Sequence, residues 1–530
     1  MNSLRNDGRR VRSGSHSTLF PGHHPRAGDD GGTQLGFVHE KHVHSYQQDP
    51  SGSPLSLIPD HWGHQAEKDI IGLTHICHGW REIFTSHSLL WTHLDCKNTE
   101  KTRVYIEHSK IQPLEISLTQ SKSISYSDNA LLMAAPYTNR LSSLTIRILS
   151  NTLSRLPDHF PFPAPLLNLK ELKIVLDANS PSHAPAILNA IFPDHLSPLR
   201  MLSLSNVVTD LPWRNLSNLT MLEFRHVRRY TVDPLFMGKL LDFFESAPLL
   251  RKITLHDSIP NSSTVSPGRV ISLLNLENLA VGNLLAHSTF LDHLSIPRCA
   301  LLNLRFSFSE GNPTTPLCFT NFGNFDITTI NLLVDKHPWT RMRLNGPSGV
   351  LRMCSIQKNW STPSLLQSLS KFDLSKARRL SVAAHHFSSS GYRIQVTFIF
   401  HTLLLMNNLC TLTLIEGHDL PFIQALNPEE NESHTVPCPK LEELVVYIWS
   451  QHCLCPGKLI EIARNRAMRF SKLSSITIID LGKDYDKSHK ETILELRKYV
   501  SRVEFRLDVS PPDWDAVFGD RGDDEHDDEL

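Results

Sequence analysis

Metal-binding side chains gather in one part of the sequence. The cluster consists of His434, Cys438, His452, Cys453 and Cys455. Structural zinc sites typically pair cysteines with about two to four residues between them, and Cys453-Leu-Cys455 falls one residue short of that spacing. We therefore predict loop thiols here rather than a metal centre, and we expect no cofactor.

Catalytic signatures are missing from the sequence. It contains no G-x-S-x-G nucleophile turn, no H-E-x-x-H zinc motif, and neither of the glycine-rich loops G-x-x-x-x-G-K-[ST] and G-x-G-x-x-G. His385-His386 follows a strand-like run, but no nucleophile or carboxylate stands at a telling distance from it. We predict that the protein is not an enzyme.

Composition excludes other classes of function. The 530 residues include 53 Lys and Arg against 54 Asp and Glu, and such a balanced charge argues against nucleic acid as the main partner. The most apolar stretch, Phe398–Met406, is interrupted by His401 and is too short to cross a membrane. No apolar segment follows the N-terminal arginines, so we expect no secretory signal there. The nine cysteines are scattered, so we expect free thiols in a reducing compartment and a cytoplasmic or nuclear location.

A six-residue repeat predicts the elements that would position any site. Its pattern is φ-x-x-φ-x-φ, where φ stands for an apolar residue and x for any residue. Its clear copies start mostly 20 to 32 residues apart, and weaker copies begin at Ile111, Trp339, Ala377 and Val500. The clear copies are Leu141/Leu144/Ile146, Leu169/Leu172/Ile174, Leu199/Leu202/Leu204, Leu219/Leu222/Phe224, Leu250/Ile253/Leu255, Leu276/Leu279/Val281, either Leu291/Leu294/Ile296 or Leu301/Leu304/Phe306, Leu409/Leu412/Leu414, Leu441/Leu444/Val446 and Leu473/Ile476/Ile478.

Each copy predicts a short strand. The last two apolar positions alternate and so point to one face, while the first enters from the preceding turn. Segments with helical period lie between some copies, over residues 233–248, 456–470 and 487–500. One copy buries only a few large side chains at ~1.5–3 kcal/mol each, against ~1–2 kcal/mol of backbone entropy per residue. The copies must therefore stack on one another to be stable.

We accordingly predict an α/β repeat fold, a leucine-rich-repeat-like solenoid with a parallel sheet on the concave face and helices outside. An ordinary α/β domain with a parallel sheet is the alternative. The positions two residues past the strands carry no row of asparagines, so we expect irregular repeats whose helices set the curvature.

A concave sheet face would present the variable positions between the strand leucines to a partner, and their mixed chemistry favours a polypeptide. The candidates are Lys173, Ser203, Ser205, Glu223, Arg225, Thr254, Ser295, Thr411, Thr413, Glu443, Val445 and Thr477.

The segment 66–94 differs from the repeats. Apolar residues recur in it at helical spacing up to Trp80 and Ile83, and Leu90-Trp91 forms a compact apolar plug before Leu94. A helical unit of this size has no core of its own, so it must dock either on the first repeat, as a cap, or on a partner.

The stretch Ile76-Cys77-His78-Gly79-Trp80-Arg81-Glu82-Ile83, followed by Leu90-Trp91, resembles the second half of the F-box of fungal F-box-like proteins with irregular leucine-rich repeats. The first half, with its Leu-Pro-x-Glu opening, is missing or degenerate upstream of Ala66. By this resemblance, the F-box core and the surface for a Skp1-like adaptor would comprise Ile76, Cys77, Trp80, Ile83, Leu90 and Trp91.

The resemblance implies a substrate receptor of a Skp1–cullin–F-box ubiquitin ligase, with the repeats holding a protein substrate. A repeat scaffold without ligase function remains the alternative. The predicted organisation is a disordered segment at 1–53, a partial F-box-like segment at 54–95, irregular repeats at 96–510 and an acidic disordered tail at 511–530.

Overall fold

The repeating apolar pattern forms a sheet of 17 strands in this computed structural model. All the described residues belong to one compact unit, Asp69–Leu530. The structure describes residue 75 and residues 77–120, 127–148, 166–176, 198–207, 216–226, 236–259, 268–285, 289–307, 326–334, 340–355, 369, 372–384, 396–416, 421–427, 435–448, 456–469, 471–480 and 488–507.

The strands are mostly five to eight residues long, and most of them end where the apolar alternation ends. They are β1 (His93–Leu94), β2 (Leu114–Gln120), β3 (Leu141–Ile148), β4 (Glu171–Leu176), β5 (Met201–Ser205), β6 (Met221–Arg225), β7 (Lys252–His256), β8 (Ile271–Ser272), β9 (Asn278–Leu285), β10 (Leu294–Ser295), β11 (Leu301–Ser307), β12 (Thr329–Val334), β13 (Thr340–Gly346), β14 (Gly349–Ser355), β15 (Arg379–Ala384), β16 (Thr411–Glu416), β17 (Glu443–Ile448), β18 (Ser475–Asp480) and β19 (Arg502–Leu507).

The α-helices lie between strands or ahead of the first one. They are α1 (His78–Ser86), α2 (Thr99–Ser109), α3 (Asp128–Ala134), α4 (Phe236–Ser246), α5 (Val396–Leu405), α6 (Pro421–Ala425), α7 (Pro456–Met468) and α8 (Ser488–Leu496). The helices α4, α7 and α8 confirm the three helical segments that the sequence predicts.

Sequential strands pair in parallel over most of the sheet. The spatial order is β1-β2-β3-β4-β5-β6-β7-β9-β11-β14-β13-β12-β15-β16-β17-β18-β19. The predicted phase is visible in the register, where Leu412 lies beside Leu444 and Leu444 beside Ile476. One continuous core lies between the helices and the face of the sheet that carries these leucines. The described chain is therefore an α/β repeat fold with a mostly parallel sheet.

The first apolar residue of each copy enters from a turn, as predicted. Leu169, Leu219, Leu250 and Leu409 are fully or almost fully buried, and the backbone N–H of each donates to the carbonyl three residues before it. Because the same turn recurs before these strands, they begin in register with one another.

The copy assigned to residues 291–306 takes a different phase. In β11, Leu302 and Leu304 lie beside Leu279 and Val281, so the aligned triplet starts at Cys299 and not at Leu301. The alternative triplet at 291–296 forms the short strand β10, which pairs with β8 in a separate two-stranded sheet.

The parallel row is interrupted once within the described residues. The strand that follows β11 in the chain, β12, does not pair with β11 but lies three positions further along the sheet, where it pairs in parallel with β15. The next two strands, β13 and β14, fill the positions between β12 and β11. The strand β13 is therefore antiparallel to its neighbours. It carries Met342 and Leu344 of the weak copy at Trp339, and Trp339 itself lies outside the described residues. This excursion explains the wide step between the copies at Trp339 and Ala377, because a hairpin occupies the extra residues.

Asparagines link neighbouring repeats from the turn before the strand, a position about which the sequence pattern made no prediction. The side-chain amide of Asn275 donates to the Pro248 carbonyl (2.9 Å), and that of Asn408 donates to the Ser375 carbonyl (2.6 Å). Asn168 makes the equivalent bond. The position two residues past β5 instead holds Val207, which is fully buried.

Within the described part of the chain, no helix has the length and apolar character required to cross a membrane.

A buried arginine holds the last repeats together. Arg466 on α7 is fully buried and donates to the carbonyls of Pro437 (2.9 Å), Cys438 (2.8 Å) and Ser471 (3.2 Å). These carbonyls belong to the turns before β17 and β18, so one guanidinium connects a helix to two coils. Burial lowers the pKa of Arg466 to about 10, which leaves it charged at neutral pH.

We expect Arg466→Met to lower the free energy of unfolding by about 3 kcal/mol, because three buried carbonyls lose their donor. Arg497→Met, at an exposed arginine, is the matched control and should change it by less than about 0.5 kcal/mol. Urea denaturation followed by circular dichroism measures both. Equal changes in the free energy of unfolding for the two substitutions would show that the buried hydrogen bonds of Arg466 do not stabilise the fold.

Candidate functional site

The face of the sheet opposite the core, called here the open face, carries the side chains that alternate with the strand leucines. Register places Lys173, Ser203, Glu223 and Thr254 in one row across β4, β5, β6 and β7. Ser205 and Arg225 form the next row. The structure therefore brings together the predicted candidates in the first half of the sheet.

A hydrogen-bonded network occupies this part of the open face. The Ser203 hydroxyl donates to Glu223 (2.8 Å), and Arg225 Nε donates to its other carboxylate oxygen (2.6 Å). Burial by itself would raise the pKa of Glu223, but Ser203, Arg225 and nearby Lys173 outweigh it and hold that pKa below its usual range. Glu223 is thus an ionised, largely buried acceptor that orients its neighbours.

Polar residues with left-handed backbone close the carboxyl ends of four strands. Asn206, His226, Asp257 and Asn283 follow β5, β6 and β7 or lie within β9, with φ between 49° and 57°. His226 Nδ1 lies 2.9 Å from one carboxylate oxygen of Asp257, and the Asn283 amide donates to the other at 2.5 Å. The row therefore links the strand ends sideways.

Two of these side chains, together with His256 at the end of β7, could coordinate a metal ion. The ligand atoms of His226, His256 and Asp257 lie within 4.8 Å of one another. Burial works to raise the pKa of Asp257, and its bonds from His226 and Asn283 outweigh that and lower it. Because both carboxylate oxygens are already hydrogen-bonded, the arrangement serves the strand ends without any ion.

Arginines from the irregular part of the sheet lie beside this region. Arg305 (β11), Arg352 (β14) and Arg343 (β13) alternate with buried residues and so belong to the open face, and Arg343 lies directly opposite Arg352. Sequence reasoning missed these residues, since it followed only the clear copies. Arginines at alternate positions in Arg341-Met342-Arg343 were the available signal.

A cavity of about 270 Å³ opens on this face between β6 and β14. Its polar lining includes Arg225, Lys252, His256, Arg305 and Arg352. The predicted candidates Glu223, Arg225 and Thr254 lie along one side, so the sequence located one wall of the cavity and the arginines form the other.

The remaining candidates lie elsewhere. Thr411 and Glu443 are hydrogen-bonded at 3.2 Å on β16 and β17, and Thr413, Val445 and Thr477 form the neighbouring row. Ser295 is wrongly placed by the alternation, because it belongs to the separate sheet of β8 and β10.

A small apolar cluster shares the second half of the open face. It consists of Leu333, Ala383 and Ile415, with Tyr447 packed against them. Register aligns these side chains across β12, β15, β16 and β17.

The N-terminal candidates divide into two groups. Trp91 is buried, stacks edge-on against Tyr105 at 5.0 Å between ring centroids, and donates from Nε1 to the Phe84 carbonyl (2.8 Å). Leu90 packs against the core beside it.

Cys77, Trp80 and Ile83 are exposed instead, and α1 has no buried residue. Trp80 stacks on Phe84, with ring centroids 5.6 Å apart. Ile76 lies outside the described residues.

The sequence cluster of metal-binding residues is only partly described. The Cys438 thiol is buried and donates to the Leu403 carbonyl (3.2 Å), and burial raises its pKa to about 12, so it stays protonated. His434, His452, Cys453 and Cys455 lie outside the described residues, as do His385 and His386.

Comparison with known proteins assigns no family. No protein-family model matches the chain, and no curated protein matches it either. Among solved structures, the chain is similar to the crystal structure of a structural-genomics target from Bacteroides fragilis, with 11% identity over 72% of this chain and 68% of that chain. The TM-score of 0.18 is too low to support any argument about fold or function.

The Glu223 network yields a prediction about pH. Because the pKa of Glu223 is depressed in the folded state, its stabilisation is present above the unfolded value of about 4.3 and is lost as the pH falls. Glu223→Gln should cost about 1.5 kcal/mol at pH 7, and the difference from the wild type should shrink at about pH 3.

Urea denaturation at the two pH values measures this difference. Glu277→Gln is the control, since Glu277 is exposed and its contact with Arg251 is long, at 3.7 Å. A difference between wild type and Glu223→Gln that is equally large at both pH values would contradict the assigned ionisation.

Proposed function

We propose that this chain is a non-enzymatic, F-box-like substrate receptor of a ubiquitin ligase. In this proposal the segment around α1 binds a Skp1-like adaptor, and a leucine-rich-repeat-like solenoid binds a protein substrate on its concave sheet face. The observation that carries the proposal is the exposure of the apolar side of α1.

The apolar side of α1 is available to a partner. Trp80 is 45% exposed and Ile83 is 51% exposed, although both belong to the helical stripe predicted from the sequence. A helix that served only to cap the repeats would bury that stripe against them. This exposure favours docking on a partner over capping.

Trp91 fixes α1 to the repeats. Its ring is buried in the first part of the core, and its indole N–H holds the carbonyl of Phe84 near the end of the helix. The next residues form β1, which pairs in parallel with β2. An adaptor held by α1 would therefore be rigidly joined to the sheet, as a receptor that positions its substrate requires.

The open face suits a polypeptide partner. Its rows mix a buried carboxylate, hydroxyls and cations with the apolar cluster at Leu333 and Ile415. Protein interfaces combine apolar and hydrogen-bonding groups in this way, whereas a nucleic-acid surface would be uniformly basic.

We expect the double variant Trp80→Ala/Ile83→Ala to lose at least tenfold in affinity for a Skp1-like adaptor, because aromatic anchors dominate interface energies. The measurement is co-purification and titration of the full chain with the adaptor. Ile111→Ala/Leu494→Ala, at two other exposed apolar residues, is the matched control and should bind normally.

Because Trp80 and Ile83 are exposed, the double variant should fold normally. An unchanged melting temperature would confirm that it does. If the wild-type chain does not bind the adaptor, the ligase role is wrong and the chain is a scaffold. Equal binding by wild type and double variant would show that α1 is not the adaptor surface.

A further inference from the structure

We propose that the cavity on the open face between β6 and β14 binds a phosphate group. The shared chemistry is that of a phosphate monoester, carried either by a phosphorylated side chain of a bound polypeptide or by a small phosphorylated molecule. This site goes beyond the adaptor role of α1 and does not depend on it.

Small residues in β9 create the hollow. Ala280 and Gly282 line it at positions where the neighbouring strand β7 carries Thr254 and His256. A Cβ on Gly282 would lie 2.5 Å from the His256 ring, so glycine allows that imidazole to lie across the strand. The imidazole thus covers Gly282, and the small side chain of Ala280 leaves the rest of the floor open between β7 on one side and β11 and β14 on the other.

The charge of the lining is strongly positive. Arg225, Lys252, Arg305 and Arg352 line the cavity, and its one carboxylate is that of Glu223. Glu223 already accepts hydrogen bonds from Ser203 and Arg225. The other three cations come from three different strands, β7, β11 and β14.

Arg352 has hydrogen-bonding capacity that the described residues leave unused. Its Nε is buried and has no hydrogen-bond partner among them. A buried guanidinium N–H without an acceptor is costly, and a small rotation of the Arg352 side chain would bring it to an oxyanion in the cavity.

The size of the cavity indicates more than an isolated ion. Its 270 Å³ approaches the lower end of ligand pockets, about 300 Å³. A phosphate group with a short side chain or a small organic group attached fits that volume.

The test is calorimetric titration of the full chain at constant ionic strength with three probes. These are inorganic phosphate, a short glycine-flanked phosphoserine peptide with its unphosphorylated counterpart, and ribose 5-phosphate. We expect the wild type to bind at least one phosphorylated probe and not the unphosphorylated peptide.

Arg352→Gln should weaken binding at least tenfold. Arg251→Gln is the control, because Arg251 is exposed beside β7 and does not line the cavity, and it should bind as the wild type does. Tighter binding of the peptide than of free phosphate would assign a polypeptide source, and tighter binding of the sugar phosphate would assign a small molecule.

Absence of binding to all phosphorylated probes, or equal losses in Arg352→Gln and Arg251→Gln, would overturn the proposal. Adaptor binding is measured on the same preparations. A chain that binds phosphate but no adaptor would retain this site while losing the ligase role, and the reverse result would separate them equally well.

Discussion

Lateral pairing of each strand with the strand of the next coil is the constraint on which the whole structure depends. A strand such as β17 has its backbone partners in β16 and β18, 32 residues away on either side. Its apolar side chains find their neighbours across the same distance. No coil can satisfy its backbone or bury its leucines alone, so the array is stable only as a continuous stack. The side chains of Asn275 and Asn408 reinforce this contact, because they too bond to the neighbouring coil.

This constraint divides the chemistry of the chain between two faces. Positions facing the core must be apolar, whereas the alternate positions are free to vary, and their neighbours come from other coils. Ser203 and Glu223 meet although they are 20 residues apart, and Thr411 meets Glu443 across 32 residues. A functional surface on such a fold is therefore assembled from single residues of many coils.

The irregular part of the sheet carries several arginines on its open face. The excursion through β12, β13 and β14 inserts strands whose open-face positions carry Arg343 and Arg352, and it follows β9, whose Ala280 and Gly282 leave the face hollow. An interruption of the repeat thus brings together side chains that a regular stack would keep apart. It also adds one antiparallel strand without breaking the core, because Met342 and Leu344 remain buried.

The sequence alone determined the repeat, its phase over most of the chain, the three longer helical segments and the alternation that places Lys173, Ser203, Glu223 and Arg225 on one face. These follow from local periodicity, which strand and helix geometry dictate. Only the tertiary structure decided the reversed path through β13, the phase that starts at Cys299 and the separate sheet that contains Ser295, because each depends on which distant strand is available for pairing. It also decided that Trp91 is buried while Trp80 is exposed. Trp91 is buried through its contact with Tyr105 on α2, and that contact joins separate elements.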